Sequence, residues 1–218
     1  MEFYLDSADV KTIKTYVKNF NIKGVTCNPT IIIKDGGSIK ELVENVPKDT
    51  ELYLQVLAQD HEGIIKETKQ LMSLSPNIIV KIPATPEGLI AIRKLKEEGI
   101  DTLATAIYSV NQALMAANCG AAYVAPYVNR MNNLEIDGIQ STLDIKKVFD
   151  EQNIDCKVIA ASFKNTAQIQ KLMVNGIKSV TIGADLLERI ICNTESVQAA
   201  KDFADAWENA YGSLELLI

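Results

Sequence analysis

Asn77-Ile78-Ile79-Val80-Lys81-Ile82-Pro83-Ala84-Thr85-Pro86 is the stretch on which the fold turns. Its apolar residues are consecutive rather than alternating, the pattern of a strand covered on both faces in a parallel sheet. Thr85 and Pro86 then supply an N-cap and a first-turn proline, so a helix follows directly. Leu89, Ile92 and Leu95 give that helix its buried face. Strand, short turn and covering helix make one βα unit. Lys81 stands out within it, because an ammonium is costly in an apolar strand. Two readings are open: a lysine snorkelling to solvent from a strand end, or a desolvated amine whose neutral fraction attacks a carbonyl.

The same unit recurs on both sides. Phe3–Leu5, Gly24–Thr26 and Leu52–Leu57 read as strands before it, and Thr102–Ile107, Ala122–Ala125, Lys157–Ala161 and Ser179–Ile182 after it. Between them, apolar residues fall at helical spacing. Val10, Ile13, Tyr16 and Val17 follow the Asp6–Asp9 helix start, Ile39, Leu42, Val43 and Val46 come after Gly36-Gly37, and Ile64, Ile65, Thr68, Leu71 and Met72 form a third set. Ser109 with Gln112 has capping-box spacing. Leu143, Val148 and Phe149 mark a later helix, and Ala184 to Ile191 the last of the series. Eight alternations predict an α/β fold, a (β/α)8 TIM barrel, over one domain spanning 1–218. A doubly wound sheet is the alternative, but neither GxGxxG nor a Walker sequence occurs. A ninth helix is left over in 196–218, with Ala200, Phe203, Ala204, Trp207, Ala210 and Tyr211 on one stripe and an apolar tail, Leu214 to Ile218. It either caps its own barrel or docks on a neighbouring subunit.

Composition narrows the function. With 47% apolar and 23% charged residues the chain is ordinary globular material. A net charge of -6 argues against nucleic acid or an anionic membrane as partner. No apolar run approaches the ~20 residues of a membrane helix. The start, Met1 to Asp6, lacks the basic and apolar regions of a signal peptide. Cys27, Cys119, Cys156 and Cys192 are scattered without CxxC spacing, which fits reduced thiols and a cytoplasmic location.

In a barrel the active site lies at the carboxyl ends of the strands. Asp6, Asn28, Gln55, Lys81, Thr105, Tyr127 and Ser162 stand at seven of the eight. Strand alternation puts Gln55 on a face with Tyr53, Lys81 with Ile79, Thr105 with Leu103, Tyr127 with Tyr123 and Ala125, and Ser162 with Ala160. Such convergence favours a catalytic Lys81. An amine nucleophile forms an iminium with a ketone and uses it as an electron sink for C–C cleavage. Asp6, Thr105 and Tyr127 suit the proton transfers this needs. The metal route to that chemistry usually takes several histidines, and His61 is the only one, placed to cap a helix or lie on the surface. Arg130 and Lys164, beside Ser162, follow the late strands where barrels often bind phosphate.

At these residues a resemblance becomes specific. Tyr4-Leu5-Asp6-Ser7, Gly24-Val25-Thr26-Cys27-Asn28-Pro29-Thr30, Val80-Lys81-Ile82-Pro83, Ala125-Pro126-Tyr127-Val128-Asn129-Arg130 and Ala160-Ala161-Ser162-Phe163-Lys164 resemble, in order, the signature segments of the small transaldolase family. The resemblance implies a Schiff base on Lys81, catalytic Asp6, sugar contacts from Thr26 and Asn28, and phosphate contacts from Arg130, Ser162 and Lys164. Gln55 and Tyr127 resemble the fructose-6-phosphate aldolase subgroup, whereas transaldolases carry Glu and Phe there. Cleavage of fructose 6-phosphate to dihydroxyacetone and glyceraldehyde 3-phosphate is therefore expected, with transaldolase transfer from sedoheptulose 7-phosphate in the pentose phosphate pathway as the alternative. A non-catalytic sugar-phosphate-binding barrel is a third reading. The resemblance also implies that no cofactor or metal is used, and that the chain forms a homo-oligomer, a decamer of two pentamers, with the C-terminal helix crossing to a neighbour. Cys27 and Lys164 depart from the usual Thr or Ser and Arg.

Overall fold

The structure is a computed structural model and describes residues 1–216, so Leu217 and Ile218 of the apolar tail lie outside the described residues. Eight parallel strands close into a barrel in chain order. They are β1 (Glu2–Asp6), β2 (Ile22–Thr26), β3 (Glu51–Gln55), β4 (Ile78–Pro83), β5 (Thr102–Ile107), β6 (Tyr123–Pro126), β7 (Lys157–Ala160) and β8 (Ser179–Ile182). β8 returns to β1 through pairs such as Tyr4 with Thr181, so no sheet edge is left open. The helices are α1 (Val10–Asn19), α2 (Pro29–Asp35), α3 (Ile39–Asn45), α4 (His61–Leu74), α5 (Pro86–Glu97), α6 (Val110–Asn118), α7 (Val128–Asn132), α8 (Gly138–Glu151), α9 (Thr166–Val174), α10 (Ala184–Ile191) and α11 (Thr194–Tyr211). This is the expected (β/α)8 barrel with an added C-terminal helix. The short α2 and α7 are additions that no apolar spacing announces.

Two cores explain the consecutive apolar runs. Leu5, Val25, Leu54, Val80 and Ile82 point outward and are buried with Ile92 and Leu95 of α5 and their counterparts on the other helices. Each such side chain contributes about 1.5–3 kcal/mol on burial. Tyr4, Tyr53, Leu103, Ala125, Tyr127 and Ile159 point inward and pack with Ile79 and Tyr123. A strand in a closed barrel therefore needs apolar residues on both parities. On β4, Val80 and Ile82 take the outer parity, and Lys81 is left on the inner one, only 5% exposed. That decides against snorkelling.

Local signals set the turns. Thr85 accepts a hydrogen bond from the Gly88 N–H at 3.1 Å, with Pro86 at the first helical position as expected. A Cβ at Gly88 would sit 1.9 Å from the Pro83 carbonyl oxygen, so only glycine lets α5 begin so close to the end of β4. Ser109 caps α6 through the Gln112 N–H at 3.2 Å. Gln112 does not return the bond to Ser109. Its Oε1 accepts from the Tyr108 N–H at 2.9 Å and its Nε2 donates to the Ala84 carbonyl at 3.0 Å, tying the β4 and β5 loops together. His61 opens α4, where its Nδ1 lies 2.7 Å from Glu87 Oε2 at the start of α5.

α11 buries none of its residues against the barrel. Phe203, Tyr211, Leu214 and Leu216 are exposed. Trp207 folds the tail back by donating to the Glu215 carbonyl at 3.1 Å and meets the Tyr211 ring in a tilted contact at 4.5 Å. The four cysteines are unpaired thiols. No helix among the described residues is long and apolar enough to cross a membrane.

Candidate active site

The carboxyl ends of the strands surround a cavity of ≈ 220 Å³ lined by Asp6, Lys81, Tyr127, Arg130, Ser162 and Thr181, among others. Each reaches it for a local reason. Lys81 arrives on the inner parity of β4, in register with Gln55 on β3. Asp6 ends β1, beside Thr26 on β2. Asn28 also lines the cavity and caps α2, its Oδ1 accepting from the Ile31 N–H at 3.0 Å. Tyr127 follows β6 and extends the sheet by one bridge to Ala161.

Asp6 and Lys81 form the charged centre. Burial pushes the Asp6 carboxyl above its ordinary value, against the opposing influence of the Lys81 ammonium, the Thr26 hydroxyl and the Arg130 guanidinium. Thr26 Oγ1 donates to Asp6 Oδ1 at 2.6 Å and lies 2.6 Å from Thr181 Oγ1. Across the cavity, the Tyr127 hydroxyl lies 2.9 Å from Thr105 Oγ1. The Tyr127 ring meets Tyr108 edge-on at 5.8 Å, and the Arg130 guanidinium covers it at 4.5 Å. Arg130 is itself exposed, so its stacked fork is open to an anion at the cavity mouth.

The remaining expected residues separate here. Thr26 and Thr105 are buried and reach the site through Asp6 and Tyr127. Gln55 is half-buried next to Lys81 and does not line the cavity. Lys164 is exposed and does not line it either, while its backbone N–H donates to Gln168 Oε1 at 2.8 Å. Ser162 lines the cavity, but not by sharing a face with Ala160. Ala160 belongs to the outer core and Ala161 to the inner one. β7 ends at Ala160, and Ser162 has φ +61°, which breaks the alternation. Ser162 is brought to the cavity by that turn, where its carbonyl accepts from the Asn129 N–H at 2.7 Å.

With Thr30 of α2, Thr181 lines the cavity without being singled out in the sequence as a site residue. It sits inside β8, and only the barrel's closure brings it beside Thr26. Cys27 is buried with its thiol donating to the Ser7 carbonyl at 2.9 Å, and burial pushes its pKa well up, which leaves a neutral packing group beside Asp6. Among the described residues no group of three or more His, Cys, Asp or Glu is placed to hold a metal ion.

Chemically, the cavity offers an amine, a carboxyl group, a phenol and a guanidinium around one small volume. Among solved structures the chain is similar to a flavocytochrome b2 mutant, with TM-score 0.63 at 13% identity, over 84% of this chain and 57% of that one. It is similar also to a mandelate oxidase mutant, with TM-score 0.59 at 10% identity, over 84% of this chain and 63% of that one. The chain thus spans less than two thirds of either, and the likeness is one of barrel fold alone. The family model described as transaldolase/fructose-6-phosphate aldolase matches residues 3–214.

Proposed function

We propose, from the premise that this chain belongs to the transaldolase/fructose-6-phosphate aldolase family, that it is a Schiff-base aldolase of class I. Membership makes it an enzyme of the aldolase and transaldolase group. The proposal is the finer one: reversible cleavage of fructose 6-phosphate to dihydroxyacetone and glyceraldehyde 3-phosphate. The observation that carries it is Lys81, a buried lysine lining the same small cavity as Asp6, Tyr127 and Arg130.

In this reading the neutral Lys81 amine attacks the C2 carbonyl, and the carbinolamine loses water to give an iminium. Asp6, beside it, carries the protons of those steps. The C4 hydroxyl gives its proton to the Asp6 carboxylate as C3–C4 breaks; the electron pair of that bond passes into the iminium, leaving a Lys81 enamine and releasing glyceraldehyde 3-phosphate. The Tyr127 phenol, paired with Thr105, holds the water that protonates the enamine. Hydrolysis then frees dihydroxyacetone and regenerates the amine. Arg130 and Ser162 hold the phosphate, with Lys164 adding charge from the rim. Asn28, which lines the cavity, contacts the sugar, and Thr26 acts on it only through Asp6.

Gln55 and Tyr127 favour release over transfer. Gln55 cannot titrate as a glutamate would, and the water held by the Tyr127 phenol supplies a proton to the enamine. Fructose 6-phosphate supplied without an acceptor tests this, with steady release of free dihydroxyacetone as the expected result. No release, but transfer when an aldose phosphate is added, would establish transaldolase activity instead. Borohydride with dihydroxyacetone should leave a mass adduct on the Lys81 peptide; its absence would sink both enzyme readings. The exposed stripe of α11 supports its packing on a second copy of the chain. Sedimentation at a single monomer mass would overturn that.

A further inference from the structure

Thr181 is the cavity residue contributed by β8, and the reaction sketched above gives it no task. Its position is nonetheless specific. Thr181 Oγ1 lies 2.6 Å from Thr26 Oγ1, which in turn lies 2.6 Å from Asp6 Oδ1. Both threonines are buried, at 4% and 1% exposure. A hydroxyl has one proton and two lone pairs, and an ionised carboxylate only accepts. Thr26 therefore spends its proton on Asp6. Two hydroxyl oxygens at hydrogen-bond distance need a proton between them, so Thr181 donates to Thr26. The chain has one direction: Thr181 to Thr26 to Asp6. A hydroxyl that accepts such a bond donates a stronger one.

We propose that Thr181 is a positioning residue that acts on Asp6 through Thr26, steadying its carboxylate and aiming it at Lys81. The proposal deepens the aldolase reading, because it rests on Asp6 as the proton carrier of that site. Other groups also act on Asp6. The Lys81 ammonium on β4 and the Arg130 guanidinium on α7 favour the carboxylate, and Asp35 at the end of α2 opposes it. Cys27, the residue after β2, stays a neutral thiol beside it. The threonine pair supplies the directed, hydrogen-bonded part of this field.

The experiment compares the wild type with Thr181→Val, Thr181→Ala and Thr181→Ser. Valine keeps the shape and removes the hydroxyl, alanine removes both, and serine keeps the hydroxyl. The first readout is the 13C carboxyl titration of Asp6 in the unliganded protein. Thr181→Val and Thr181→Ala should raise its midpoint by about half a pKa unit, and Thr181→Ser should match the wild type. The second is turnover of fructose 6-phosphate. Thr181→Val should lower kcat roughly five- to tenfold with KM little changed, and Thr181→Ser should restore it. An unshifted Asp6 midpoint in the two hydroxyl-free variants, or an equal shift in Thr181→Ser, would overturn the proposal. The titration needs no turnover, so it reads out even if the wild type proves not to be an aldolase.

Discussion

The two ends of this barrel both set charge against an apolar interior, and they treat it in opposite ways. At the amino ends of the strands, Glu51 Oε2 accepts from the Tyr53 hydroxyl at 2.8 Å and from the Tyr4 hydroxyl at 3.2 Å. Glu51 Oε1 meets Lys23 Nζ at 3.0 Å, and Glu2 accepts from Ser179 Oγ at 2.9 Å. The tyrosine rings then fill the space edge to face, Tyr4 on Tyr53 at 5.6 Å and Tyr53 on Tyr123 at 5.8 Å. Burial and the Glu51 carboxylate hold the Tyr4 and Tyr53 phenols far above their ordinary pKa, so they remain donors. At the carboxyl ends, Lys81, Asp6, Tyr127 and Arg130 instead border open volume. Charge bonded against the core does not by itself mark a site. Bonding capacity left unspent does.

The contrast can be broken at either end. Lys81→Met should have the largest effect, a loss of turnover of roughly 10⁴-fold or more with the fold retained, because Met replaces the stem and not the amine. Residual turnover near wild type would remove the Schiff base from the scheme. Glu51→Ala should do the reverse. It strands the Tyr53 phenol and leaves Tyr4 only Glu2 at 3.5 Å, and we expect a stability loss of about 2 kcal/mol in urea unfolding. Its kcat/KM should stay within about twofold of wild type; a larger fall would show that the filled end is coupled to the open one.

The pH dependence of stability sharpens the comparison. Asp6 has a folded pKa raised above its ordinary 3.8, so the folded chain holds this proton more tightly than the unfolded chain. Its contribution to stability is fully present below that ordinary value and is lost as pH rises through the folded pKa. Replacing Asp6 by Asn should flatten that part of the stability profile, measured by urea midpoints across the acidic range. An unchanged slope would mean that Lys81 and Thr26 fully offset burial. The smallest effect is expected from Gln55→Glu, which should raise transfer to an aldose phosphate relative to release by a few-fold. Unchanged partitioning would take Gln55 out of the choice between the two reactions.

Much of the barrel was legible because closure imposes apolar residues on both parities of a strand, and Ile78 to Ile82 show that plainly. The βα turn at Thr85-Pro86 was legible because capping chemistry is local. Inner parity placed Lys81, Thr105 and Tyr127 correctly for the same reason. Alternation failed at Ser162, where a left-handed residue shifts the phase and no sequence pattern marks it. Thr181 was hidden differently. In Ser179-Val180-Thr181-Ile182 a threonine is ordinary strand material, and its partner Thr26 stands far away in sequence on a strand reached only across β1. α2 and α7 were missed because short helices at strand ends bury too few residues for a periodic stripe.

The left-handed backbone at Ala106 and Ser162, with φ +57° and +61°, has a consequence for how freely the sequence can drift. Ala106 directly follows Thr105 and packs with the inner core, while Ser162 lines the cavity. An L-residue in this region costs roughly 1–2 kcal/mol, and more if its side chain branches at Cβ. Val, Ile or Thr at either position would therefore be resisted by conformation before any contact with substrate is considered. The left-handed residues near the end of β5 and just after β7 set which residues the rim will accept, independently of what the rim does.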